Sequence, residues 1–145
     1  MNFIQHIWQY AFILTEIGLI MSITTSVEND NQLTIHTVTG EASFEEGITT
    51  LKQFYEDRPT INTLWDFRKA NLVRLSSKET EAIMDYIKHH SGKRSGGKTA
   101  LVVSGDLEYG LSRMAQALAE IKSLSFQMEI FRSFKEAIQW IGEGE

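Results

Sequence analysis

From Ser22 onward the chain switches back and forth between two hydrophobic periods, and this alternation limits the fold more than any single residue does. Ile23 to Val27 and Leu33 to Val38 are rich in β-branched residues and alternate in polarity, with Glu28-Asn29-Asp30-Asn31-Gln32 supplying turn chemistry between them, so the segment opens as a hairpin. After Gly40 the period changes: Phe44, Ile48, Leu51 and Phe54 fall on one helical face, Ser43 with Glu46 forms a capping box, and Pro59 closes the element. A strand over Ile61 to Phe67 follows, then a helix from near Ser76, boxed by Ser76 and Glu79, with Ile83, Tyr86 and Ile87 turned inward. His89 to Gly97 is polar and contains glycine, which predicts a flexible basic connector.

Thr99-Ala100-Leu101-Val102-Val103 is an unbroken apolar run, the pattern of a strand covered on both faces at the centre of a parallel sheet. A third helix places Leu107, Leu111, Met114, Leu118 and Ile121 on one stripe. Phe126, Met128 and Ile130 then alternate with Gln127 and Glu129 as a half-exposed strand, and Ser133 with Glu136 caps a last helix carrying Phe134, Ala137, Ile138 and Ile141. A hairpin followed by strict helix and strand alternation predicts an α/β domain over residues 22–145, with a mixed, mainly parallel sheet of about five strands and about four helices.

The 145 residues suit one domain with one core. Apolar residues make up 42% and charged residues 23%, which excludes a disordered or collagen-like chain. The absence of cysteine removes disulfides, zinc fingers and iron–sulfur sites. Lys and Arg total 14 against 19 Asp and Glu, a net charge of −5, so no basic footprint for nucleic acid is present.

Residues 1–21 stand apart in composition. Phe3, Ile4, Ile7, Trp8, Ala11, Phe12 and Thr15 recur at helical spacing, predicting an apolar, amphipathic helix. Gln5, His6, Gln9 and Glu16 interrupt the run, no basic residue precedes it, and no small-residue cleavage site follows, which argues against a secretory signal and favours a cytoplasmic protein. The segment reads either as an extension that meets a membrane surface or a second copy, or as a helix covering a groove on its own sheet.

Three motifs invite an enzymatic reading. Gly92-Lys93-Arg94-Ser95-Gly96-Gly97-Lys98-Thr99 matches the phosphate-loop pattern, but that chemistry needs a strand before the loop and a helix after it, and the predicted order is reversed. Val103-Ser104-Gly105 sits between a strand and a helix but lacks the glycine of a nucleophile elbow two positions before the serine, so Ser104, Gly105 or Asp106 is expected to cap the helix. His6, His36, His89 and His90 have no metal-ligand spacing. No set of nucleophile, base and oxyanion donors can be assembled, so neither catalysis, a metal nor a cofactor is expected.

The carboxyl ends of the parallel strands are where open α/β sheets receive ligands and partners. They carry Asp66 and Arg68 on one strand and Ser104 and Asp106 on its neighbour, and Arg113 on the third helix is placed to face the same region. These five residues form a candidate recognition site; the competing reading is an internal pair between Asp66 and Arg113 plus a helix cap.

Leu64-Trp65-Asp66-Phe67-Arg68, Lys98 to Ser104, Gly105 to Met114 and Glu129-Ile130-Phe131-Arg132, in this element order, resemble the SpoIIAA-like family of small bacterial proteins. That family has the STAS fold of the anti-sigma-factor antagonists and is also similar to lipid-binding CRAL-TRIO domains. The resemblance implies a STAS/SpoIIAA-like sheet and a non-catalytic regulatory module acting on a protein partner. The CRAL-TRIO likeness implies, as the alternative, a carrier of a small apolar ligand. The antagonists are switched by phosphorylation of the second serine in Asp-Ser-Ser-Gly; Leu75-Ser76-Ser77-Lys78 stands at the matching place, so the resemblance points to Ser77, with Leu75 and Lys78 departing from the motif.

Overall fold

The computed structural model describes residues 22–30 and 32–144; the predicted helix within residues 1–21 lies outside them. Five strands form one sheet in sequential order, β1 (Ile23–Glu28), β2 (Leu33–Glu41), β3 (Asn62–Asn71), β4 (Lys98–Val102) and β5 (Gln127–Phe131). The hairpin pair β1 and β2 is antiparallel, with Ile23 opposite Val38 and Glu28 opposite Leu33; every later pairing is parallel. Helices α1 (Phe44–Glu56), α2 (Ser77–His90), α3 (Asp106–Ile121) and α4 (Phe134–Gly142) alternate with the strands from β2 onward. This is the expected mixed α/β sheet.

Crossovers of one hand in a sheet without order reversal stack their helices on one face. Leu51 and Tyr55 of α1, Met84 and Ile87 of α2 and Ala119 of α3 accordingly share a core with Leu101, Phe126 and Met128. Helix α4, which follows the last strand, covers the opposite face, where Ala137 and Ile141 pack on Leu33, Ile35, Leu64, Ala100 and Val102. The central strand β4 is thus buried on both sides, as its unbroken apolar run requires.

Local chemistry fixes the element ends. Ser43 and Ser76 each accept from the backbone N–H three residues on, and Glu46 and Glu79 return the bond, completing both capping boxes. Helix α1 stops at Glu56, before Pro59, which disfavours the helical region at the residue preceding it; Arg58 there has φ +51. Gly105 is the N-cap of α3, without a side-chain bond. Strand β3 runs four residues past the expected Phe67, pairing Lys69, Ala70 and Asn71 with Thr39, Gly40 and Glu41 across a bulge after Thr37.

Two expectations are corrected. Leu111 and Leu118 of the predicted stripe on α3 pack against the core, but the fully buried residues are Glu108, Ser112 and Ala119, and Leu107 and Ile121 at the ends of the stripe are exposed. The helix is rotated by about one residue because the Glu108 carboxylate reaches under the β3–α2 connection and accepts from the backbone N–H of Leu72 at 2.9 Å. The His89–Gly97 connector is not a loose loop: Ser91–Arg94 form a 3₁₀ turn in which Ser91 and Arg94 are buried. Among the described residues no helix is long and apolar enough to cross a membrane.

Candidate functional site

Between the sheet and the layer of α1, α2 and α3 lies a partly open cavity of about 130 Å³ with an almost wholly apolar wall. Its existence follows from the small residues that the surrounding helices turn toward it. Helix α1 presents Gly47, where an added Cβ would meet nothing within 4 Å, and α3 presents Ser112 and Ala115. The sheet side offers Thr63, Trp65, Phe67, Leu101 and Met128. Thr63 and Thr99 satisfy each other at 2.9 Å, so the strand hydroxyls present little unpaired polarity to the space.

Arg94 lines the cavity and is 2% exposed. Its Nε donates to the Ile61 carbonyl at 3.2 Å, and one terminal nitrogen donates to the Lys98 carbonyl at 3.0 Å and to Thr99 Oγ1 at 2.9 Å. The guanidinium also lies close to the Tyr55 hydroxyl and over the rings of Phe126 at 4.2 Å and Phe54 at 5.8 Å. Burial lowers its pKa, and Tyr55 works in the opposite direction. Nothing in the sequence signalled this: the neighbours Lys93 and Ser95 are exposed, and the arginine sits inside a string that reads as a basic loop.

His36 is the second unanticipated group. The ring is 1% exposed, packed at 4.3 Å from Trp65 and 5.6 Å from Phe54 between ring centroids, with Nδ1 bonded to Thr25 Oγ1 at 2.9 Å and Nε2 without a partner. Burial first, and the Arg94 charge second, lower its pKa to about 4, so it is neutral at pH 7. His89 and His90 bond the carbonyls one turn back in α2, and His90 stacks on Tyr86.

The five rim residues do not form one cluster. Asp66 pairs with Arg68, its neighbour on the same face of β3, through Arg68 Nε and a terminal nitrogen, both at 2.9 Å, and also accepts from the Arg68 backbone N–H. Burial alone would raise the Asp66 pKa; the hydrogen bonds and charge of Arg68 overcome it and hold the carboxyl below its usual value. Arg68 itself is stacked over the Phe134 ring of α4. Arg113 is exposed on α3 and bonds Gln116, and α3 and α4 lie on opposite faces of the sheet, so the pair Asp66–Arg113 does not form. Ser104 and Asp106 are joined instead by Arg132, which donates to the Ser104 carbonyl at 3.0 Å, lies 3.7 Å from Asp106 and covers the Tyr109 ring. Ser77 is the first residue of α2 and exposed, with Ser76 as the cap.

The phosphate-loop string is occupied with structural work. Lys98 Nζ donates to the carbonyls of Trp140 and Glu143 at the end of α4, at 2.7 and 2.6 Å, and Gly97 is held so close to Ile61 that a Cβ would overlap its carbonyl. A strand follows the loop, so no helix N-terminus faces it.

No protein-family model matches the chain, and no curated protein is significantly similar to it. Among solved structures it is similar to an uncharacterised protein of the DUF3478 family with a SpoIIAA-like fold from Shewanella loihica PV-4. The TM-score is 0.55 and the identity 16%, over 82% of this chain and 91% of that one. An anti-sigma factor antagonist from Mycobacterium paratuberculosis aligns with a TM-score of 0.43 at 19% identity, over 83% of this chain and 94% of that one. The chain therefore has the SpoIIAA-like fold expected from its motifs.

Proposed function

We propose that this protein is a non-catalytic, cytoplasmic binding module that holds a small, largely apolar molecule between its sheet and its three-helix layer. The observation that carries the reading is the cavity of about 130 Å³ walled by apolar side chains. A well-packed core of this size has few voids larger than a water, so an apolar space of this volume stands out. A dry cavity of about 150 Å³ accommodates one benzene, so the volume suits a body of about six carbons and is far short of a whole lipid. The test is a titration with benzene, followed by ¹³C-methyl NMR of the methionines. Met84 and Met128 line the cavity and Met114 does not. Shifts at Met84 and Met128 with Met114 unmoved are expected; no shift near benzene saturation, or equal shifts at all three, refutes the reading.

A second reading, a protein partner at the strand-end rim, draws on a separate observation. Val73 and Leu107 are exposed large apolar residues, brought near each other by the bond from Leu72 to Glu108, and Arg132 stacks on Tyr109 beside them. An apolar centre edged by Asp106 and Arg132 has the make-up of a partner contact. A phosphate on Ser77, at the start of α2, belongs to the same reading, since it would add charge at a helix N-terminus. A Val73→Asp, Leu107→Asp double variant that keeps the partner set of the parent protein in its own host refutes the rim.

A further inference from the structure

We infer that the cavity selects a small organic monocarboxylate, its apolar body against Trp65, Met84 and Leu101 and its carboxylate on Arg94 and the Tyr55 hydroxyl. The inference rests on the cavity reading above and adds the charge and class of the ligand. Buried charges are nearly always paired, since removing an ion from water costs several kcal/mol that only an opposite charge repays well. Arg94 departs from that rule. Its protein acceptors are two backbone carbonyls and the Thr99 hydroxyl, all neutral, and among the described residues no carboxylate forms an ion pair with it. Three acceptors, one on Nε and two on one terminal nitrogen, also leave two of the five guanidinium N–H groups for a ligand.

The neighbouring groups sharpen the class. The Tyr55 hydroxyl lies close to Arg94 and is itself a donor, and both residues line the cavity. A carboxylate placed there takes one charge-assisted bond from Arg94 and one from Tyr55. Arg94 is the one charged residue in the lining, and the buried His36, which feels its charge, is neutral at pH 7, so the site holds a single positive charge and balances a monoanion. The remaining wall is mostly apolar, with Thr63 and Thr99 bonded to each other, and disfavours a second polar group. Volume, charge and donors together describe an aromatic or branched acid of about benzoate size.

The experiment compares benzoate with benzamide, which has the same shape and no charge, on the full chain, reading Met84 and Met128 methyl shifts. Benzoate is expected to bind at least roughly tenfold more tightly, the effect of a hydrogen bond to a charged group. Tyr55→Phe, which removes only the hydroxyl, should narrow that preference and leave benzamide unchanged; Arg94→Lys should narrow it further. Equal binding of the two compounds, or an undiminished preference in Tyr55→Phe and a folded Arg94→Lys, overturns the carboxylate assignment while leaving the cavity reading intact. If neither compound moves the two methyls, the cavity reading itself fails and the assignment with it.

Discussion

Ala115→Leu converts the cavity into a measurable quantity. Ala115 is an interior residue of α3, lines the cavity and is only partly buried by its neighbours. Leucine adds three carbons, and at about 0.8 kcal/mol per buried methylene they contribute about 2.4 kcal/mol if the space accepts them. Fixing the leucine rotamer costs about 0.5–1 kcal/mol, and the helix propensities of the two residues are close, so the net expectation is about 1.5–2 kcal/mol of added stability. Urea unfolding should show a higher midpoint at unchanged slope, and the melting temperature should rise by roughly 3–8 °C. Benzene and benzoate should lose their effect on Met84 and Met128. A loss of 1–3 kcal/mol, the usual cost of overpacking, would show that the layer is already filled and would refute the reasoning.

Stability should fall on acidification between pH 6.5 and about 4, because the unfolded chain takes up a proton at His36 that the folded chain excludes. The interval corresponds to about 3 kcal/mol, and His36→Phe should flatten that part of the curve; an unchanged curve rejects the buried neutral imidazole. Arg68→Ala should cost more than Asp66→Ala, about 1–3 against under ~1 kcal/mol, because the Asp66 side chain is 10% exposed and the Arg68 side chain 43%. Chemical denaturation of the two variants decides it, and the opposite order sinks the account. ATP should show no binding in the micromolar range by calorimetry, and Lys98→Ala should lower stability by about 1 kcal/mol through the freed end of α4. Residues 22–145 expressed alone should unfold at a midpoint close to that of the full chain, with co-sedimentation on vesicles confined to the longer form; an insoluble short form refutes the extension reading.

The elements were legible because each is written in short-range terms. Capping boxes at Ser43 and Ser76, the apolar run at Thr99–Val103 and the alternation at Phe126–Ile130 are local signals, and each marks the element that forms. The errors are equally local in origin. Hydrophobic spacing alone placed Leu107 and Ile121 inward on α3, but one buried carboxylate bond, from Leu72 to Glu108, sets the rotation of that helix. A polar inward face of this kind has no periodic signature, because its partner lies 36 residues away in sequence.

The site was less legible, for a reason that the two faces of the sheet make clear. Rim residues are predictable from strand ends, so Asp66, Arg68, Ser104 and Asp106 could be named, yet which of them meet depends on which face each strand residue occupies. Asp66 and Arg68 are two apart and share a face of β3, whereas Arg113 belongs to the layer on the other side. The cavity inverts the usual search: it is defined by what Gly47, Ser112 and Ala115 fail to fill, and small residues on helices carry no chemical motif. Arg94 is hidden for the same reason in reverse. A charged residue between exposed neighbours reads as solvated, and only the approach of Ile61, Lys98 and Thr99 from two strand ends turns it into a buried cation. A void beside an unneutralised charge is the kind of feature that packing alone does not select, since filling the one and replacing the other would each favour the fold.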